Sequence, residues 1–158
     1  MVDLNKTDDL TKRAKLRALH LLEYMDRSEH QLYEKLRADY PEDVVNIAMA
    51  YVKSFGYVND EGYAKRYIEN RKGSKSKEEI KMALLQKGVS KELISNAMQE
   101  CYGEQDEADA IRKLCEKKRF CMKTATDKEK QKMYGYLLRK GFRYDDIRQV
   151  IQVSSSNA

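Results

Sequence analysis

The stretch Ile80-Lys81-Met82-Ala83-Leu84-Leu85-Gln86-Lys87-Gly88-Val89, with Glu92 and Ile94 beyond it, decides the fold. Ile80 and Leu84 are four apart and share one face of a helix. Lys87-Gly88-Val89 ends that helix, because glycine takes the left-handed C′ position at little cost. Leu93, Ile94, Ala97, Met98 and Cys101 then form the apolar stripe of a second helix. The pattern returns 53 residues later as Met133, Leu137, Lys140-Gly141-Phe142, Asp145 and Ile147. A weaker copy comes earlier. Leu32 and Leu36 lie 48 residues before Ile80 and Leu84, and Val45, Ala48 and Met49 lie 49 before Ile94, Ala97 and Met98, with Tyr40-Pro41 making the turn in place of a glycine. A period of this length marks stacked units that share apolar faces.

Helical spacing extends on either side of the repeat. Leu10, Ala14, Ala18, Leu21, Leu22 and Met25 form one stripe; Val44, Val45, Ala48, Met49, Val52 and Phe55 another; Tyr63, Ala64, Tyr67 and Ile68 a third; Ala108, Ile111, Leu114 and Cys115 a fourth. Nine short helices result, and no segment alternates as a strand does. Ser28 with Gln31, Ser76 with Glu79 and Thr126 with Glu129 have capping-box spacing. Pro41 is expected in the first turn of the third helix, and Gly73-Ser74-Lys75 in a flexible joint. The expected fold is all-α: three tandem three-helix repeats, residues 1–58, 59–103 and 104–158, forming an elongated, curved, right-handed or solenoid-like body with a frayed C-terminus.

Composition agrees. Of 158 residues only seven are glycine and one is proline, and charged residues make up 36%, which suits helices with solvated faces. No stretch approaches the roughly 20 apolar residues of a membrane span, and the first ten residues carry no apolar signal-peptide core. Cys101, Cys115 and Cys121 are odd in number and lack C-x-x-C spacing, which fits a reducing cytoplasm. The net charge of +5 is unevenly spread: −1 over residues 1–58, +2 over 59–103 and +4 over 104–158.

No catalytic set, nucleotide-binding loop, cofactor site or metal-ligand spacing emerges, so no catalytic or metal residue is assigned. His20 and His30 fall on different helices. Cys101 and Cys115 read as core. Paired acids at helix starts serve the helix dipole, and most of the 11 tyrosines read as seams between helices. The best chemical signal is the basic clusters: Lys12, Arg13, Lys15 and Arg17; Arg71, Lys72, Lys75, Lys77 and Lys81; Lys113, Lys117, Lys118, Arg119 and Lys123; and Arg139, Lys140, Arg143 and Arg148. On one groove they would follow a phosphate backbone or an acidic protein surface.

Phe55-Gly56-Tyr57-Val58-Asn59-Asp60, followed by Tyr63-Ala64, Tyr67, Arg71, Gly73, Ile80, Leu84 and Lys87-Gly88-Val89, resembles the central signature of the RecX family. Ser28, Leu32, Lys35 and Leu36 resemble its first-unit pattern, and Arg139-Lys140-Gly141-Phe142 with Asp146-Ile147 its third-unit turn. The resemblance spans residues 10–152. It implies tandem three-helix units and a non-enzymatic regulator of the RecA recombinase in DNA recombination, repair and the SOS response. Such a regulator binds RecA and its filament on single-stranded DNA and restrains ATPase, strand exchange and filament growth. Two departures stand out: Ser74 to Glu79 lacks the Gly-Pro common before the middle-unit Ile, and the first unit lacks the Lys-Gly turn.

The residues expected to meet the partner are Arg71, Lys72, Lys75, Lys77 and Lys81, where motif and charge coincide, then Lys12, Arg13 and Arg17, then Arg139 and Lys140. The protein is expected to act as a monomer without a membrane. The alternative is a direct nucleic-acid binder using the helix-turn-helix-like Ile80–Met98 segment, and a third reading is a generic helical scaffold.

Overall fold

The computed structural model describes residues 4–151. Among these, nine α-helices and no strands occur: α1 (Leu4–Tyr24), α2 (Glu29–Arg37), α3 (Glu42–Ser54), α4 (Asp60–Arg71), α5 (Lys77–Gln86), α6 (Lys91–Cys101), α7 (Glu104–Lys117), α8 (Asp127–Arg139) and α9 (Tyr144–Val150). The expected all-α class holds, although α1, at 21 residues, is not short. The expected frayed end, Ser154 to Ala158, lies outside the described residues.

Two compact units form. Among the described residues, one contains 4–64 and 84–94, the other 65–83 and 95–151. In the first, α1, α2 and α3 bury Ala14, Ala18, Leu21, Leu32, Leu36, Val44, Val45, Ala48, Met49, Val52 and Val58, matching most of the apolar stripes. Phe55 and Met25 depart from them, at 57% and 51% exposed. Both follow the last residue of their helix, so the helical spacing that would turn them inward has already ended. In the second unit, α7, α8 and α9 bury Ala110, Ile111, Cys115, Met133, Tyr134, Leu137, Phe142, Ile147 and Ile151. The Tyr134 hydroxyl donates to the Ile151 carbonyl at 3.1 Å.

Helix ends follow local chemistry. Ser28 accepts from the Gln31 amide, and the Gln31 side chain accepts from the Ser28 amide, completing the capping box. Ser76 accepts from the Glu79 amide at 3.1 Å, and Thr126 from the Glu129 amide at 3.1 Å. Pro41 stands one residue outside α3, as its N-cap, with an extended ψ of 154°. Having no N–H, it contributes only its carbonyl, which accepts from Val45 at 3.0 Å. Gly73-Ser74-Lys75 is a closed turn, with the Ser74 and Lys75 amides at 3.2 and 3.0 Å from the Arg71 carbonyl.

Four helices stop in the same way. In α3, α5, α7 and α8 the C″ amide reaches back to the C3 carbonyl and the C′ amide to C2: Tyr57 to Val52, Val89 to Leu84, Phe120 to Cys115 and Phe142 to Leu137 are the longer bonds. This is the Schellman geometry, which needs a left-handed C′ residue. Glycine fills that position in three of them, and Arg119, with φ at 56°, in the fourth.

Candidate partner-binding site: a cationic cleft beside a strained arginine

Arg119 holds a conformation that costs a side-chain-bearing residue roughly 1–2 kcal/mol. Such strain collects where a site benefits from it. Arg119 lines an open cleft of about 620 Å³ together with Lys118, Phe120, Lys132, Tyr136 and Arg139. Among its lining residues four cations face one acid, Glu129. The Lys118 ammonium sits 4.4 Å from the Tyr136 ring centre, and Lys140 approaches the same ring at 5.7 Å. The ring's negative face attracts both ammonium groups and holds them in place. The cleft can therefore receive an anionic group and pack an apolar or aromatic one beside it.

Of the residues expected from sequence to meet a partner, Arg139 lines this cleft and Lys140 borders its tyrosine. The middle cluster is dispersed among local contacts. Arg71 lies 3.9 Å over the Tyr67 ring. Lys72 pairs with Glu69 at 3.0 Å and donates to the Cys101 carbonyl at 3.2 Å; the Glu69 bond pushes its pKa up. Lys75 meets Glu79 at 3.7 Å, and Lys81 meets Glu78 at 3.8 Å. Lys77 donates its backbone N–H to Glu107 at 3.0 Å. On α1, Arg13 pairs with Asp9 at 3.2 Å, and Lys12 and Arg17 are exposed. Sequence reasoning left Phe120, Lys132 and Tyr136 unassigned. One signal was present: Lys118-Arg119-Phe120 repeats the Lys-x-Phe of Lys140-Gly141-Phe142.

A repeated lock, also missed, fixes the starts of α2 and α5. The Ser28 hydroxyl donates to the Lys87 carbonyl at 2.5 Å, and Ser76 to Lys140 at 2.5 Å. Each carbonyl belongs to the lysine of a Lys-Gly turn. Beside each serine, the first amide of the helix is taken by a carboxylate: Glu29 N–H by Asp60 at 2.8 Å, Lys77 N–H by Glu107 at 3.0 Å. Burial raises the pKa of both acids, opposed chiefly by those backbone bonds.

The cysteines divide by environment. Burial pushes the Cys115 thiol up to about 11 and also raises Cys101. Exposed Cys121 is lowered by hydrogen bonds from Thr124 and the Lys123 amide. Among the described residues no group of acidic, histidine or cysteine side chains is placed to hold a metal ion, and no helix is long and apolar enough to cross a membrane.

Comparisons place these features in a family. The models for the first, second and third three-helix domains of RecX match residues 14–51, 59–98 and 104–151. A Regulatory protein RecX of Clostridium perfringens strain 13 is 34% identical over 98% of this chain and 74% of its own length. One from Caldanaerobacter subterraneus is 33% identical over 90% of this chain and 71% of its own. The crystal structure of RecX from Lactobacillus salivarius superposes with a TM-score of 0.75 at 25% identity, over 92% of this chain and 96% of that one. Domain matches, sequence identity and fold agree, and this chain belongs to the RecX family of regulatory proteins.

Proposed function

We propose that this protein is a non-enzymatic regulator of the RecA recombinase. It binds RecA filaments on single-stranded DNA and restrains their ATPase, strand exchange and growth. The observation that carries the reading is the match to all three RecX domains along one chain. The cationic cleft supplies a chemistry: Lys118, Arg119, Lys132 and Arg139 meet an anionic surface of the filament, and Tyr136 packs beside it. Exposed Lys12 and Arg17 on α1, with Lys75 and Lys77 at the start of α5, add further contacts. Arg71 and Lys72 contribute less, because each is half-buried as well as engaged within the fold, whereas Lys75, though paired with Glu79, is exposed. The protein works in the cytoplasm as a monomer, its three units on residues 1–58, 59–103 and 104–158.

The test is the ATPase of RecA on single-stranded DNA with this protein titrated in. A dose-dependent fall in turnover is expected. Unchanged turnover, with no retention on RecA filaments in sedimentation, overturns the reading.

A further inference from the structure

The Schellman end of α3 differs from its counterparts in what it does with its C″ residue. Val89 and Phe142, at that position after α5 and α8, are each 2% exposed. Tyr57, at the same position after α3, is 56% exposed, and Phe55 beside it is 57% exposed. Their rings lie nearly parallel, 18° apart in plane with centres 5.5 Å apart. Tyr51 meets Phe55 edge-on at 5.1 Å. The Lys15 ammonium stands 4.7 Å from the Tyr51 ring, which joins this aromatic ladder to the basic stretch Lys12-Arg13-Ala14-Lys15-Leu16-Arg17 of α1.

We propose that Phe55 and Tyr57 form a stacking platform for the bases of a single-stranded nucleic acid, whose phosphates run along Lys12 and Lys15. The α3 end is built as the core-forming ends are, yet it turns its aromatic outward, so these rings do not serve the core. A protein partner's apolar anchor seeks a concave pocket. These rings are flat and stand outside the groove of this unit, which is lined by His30, Tyr33, Met49 and Lys53. A flat, exposed π-face next to Lys15 and the exposed Lys12 suits a nucleobase, which stacks on aromatic rings whatever its sequence. The stretch from Thr11 to Arg17 holds four cations and no acid; Arg13 is paired with Asp9 of the preceding turn, and the charge of Lys12, Lys15 and Arg17 favours a polyanion over a neutral peptide patch. This contact is separate from the cleft in the other unit and does not rest on the recombinase reading.

The experiment is anisotropy titration of a labelled oligothymidylate of about 12 nucleotides with the full chain alone. The parent is expected to bind, with affinity falling steeply as salt rises. Phe55→Ala with Tyr57→Ala should weaken binding by about tenfold or more, as stacking one base contributes roughly 1–3 kcal/mol. Tyr57→Phe should bind as the parent does, and Lys15→Gln should reduce the salt dependence. Photocrosslinking of a 5-iodouracil oligonucleotide to the parent should label Phe55 or Tyr57, a readout that needs no variant to fold. A parent that does not bind, or a folded double variant that binds like the parent, overturns the proposal. If that variant binds oligonucleotide normally but no longer restrains RecA, the rings dock protein and the proposal is equally overturned.

Discussion

Gly88 and Gly56 show how much one residue's surroundings matter. Both hold left-handed backbones, with φ at 83° and 72°. A Cβ at Gly56 would meet nothing within 4 Å, whereas one at Gly88 would fall 2.4 Å from the His30 Cβ. Gly56→Ala should therefore cost only the conformational penalty of about 1–2 kcal/mol. Gly88→Ala should add an overpacking cost of about 1–3 kcal/mol. Denaturant unfolding of the two variants checks the order. The reverse substitution, Arg119→Gly, relieves strain and should stabilise by up to about 1 kcal/mol, since glycine's greater entropy in the unfolded chain offsets part of the gain. The sequence marked the Lys-Gly turns as helix ends. It did not mark Arg119 as one, because an arginine carries no composition signal for the left-handed region.

At the scale of elements, the starts of α2 and α5 do two jobs and that of α8 does one. Ser28 and Ser76 are fully buried and each bonds both its own helix and a distant lysine carbonyl. Thr126 is exposed and is given only a cap bond. Thr126→Ala should cost about 1 kcal/mol, the usual loss of a cap. Ser28→Ala or Ser76→Ala should cost about 2–3 kcal/mol, since each also removes a buried bond to a distant lysine carbonyl. Thermal unfolding of the three single variants tests this.

Asp60 and Glu107, which hold the first amides of these helices, give the lock a pH response. Burial raises both pKa values above their free values of 3.8 and 4.5. The fold thus favours the neutral carboxyl, and the stability each contributes is full below its free value and is lost as pH rises through the raised one. Asp60→Asn with Glu107→Gln keeps an oxygen for each amide and removes the titration. The parent should gain stability relative to this double variant as pH falls from neutral towards its free carboxyl values. Denaturation midpoints measured across that range, with the difference unchanged or reversed, would show that the carboxyls are not held in this way.

For the molecule as a whole, the net charge of +5 matters less than where its cations are free. An exposed ion pair is worth roughly 0.2–1 kcal/mol. On the proposed reading as a RecA regulator, removing Lys118 and Arg139 together should therefore weaken restraint of RecA several-fold, up to about tenfold. Removing Arg71 and Lys72 should weaken it less and instead lower stability, as Lys72 bridges Glu69 and the Cys101 carbonyl. Inhibition curves on RecA ATPase, paired with melting curves, separate the two effects. If the Arg71 and Lys72 variant loses more inhibition than the cleft variant, the cleft is not the principal contact.

The sequence alone determined the helices, most of their ends and the threefold repeat. These depend on spacing along the chain: apolar residues at helical intervals, hydroxyls three before an amide, glycines where a helix must reverse hand. Tertiary structure decided which cations are free, because that depends on residues far apart in the chain. Glu69 and the Cys101 carbonyl occupy Lys72, while Lys118, Arg119, Lys132 and Arg139 line one cleft with Tyr136 and Phe120. It also decided that Phe55 and Tyr57 face outward, since α3 stops one residue before its apolar stripe does. The double role of Ser28 and Ser76 was equally hidden, as their carbonyl partners lie 59 and 64 residues away.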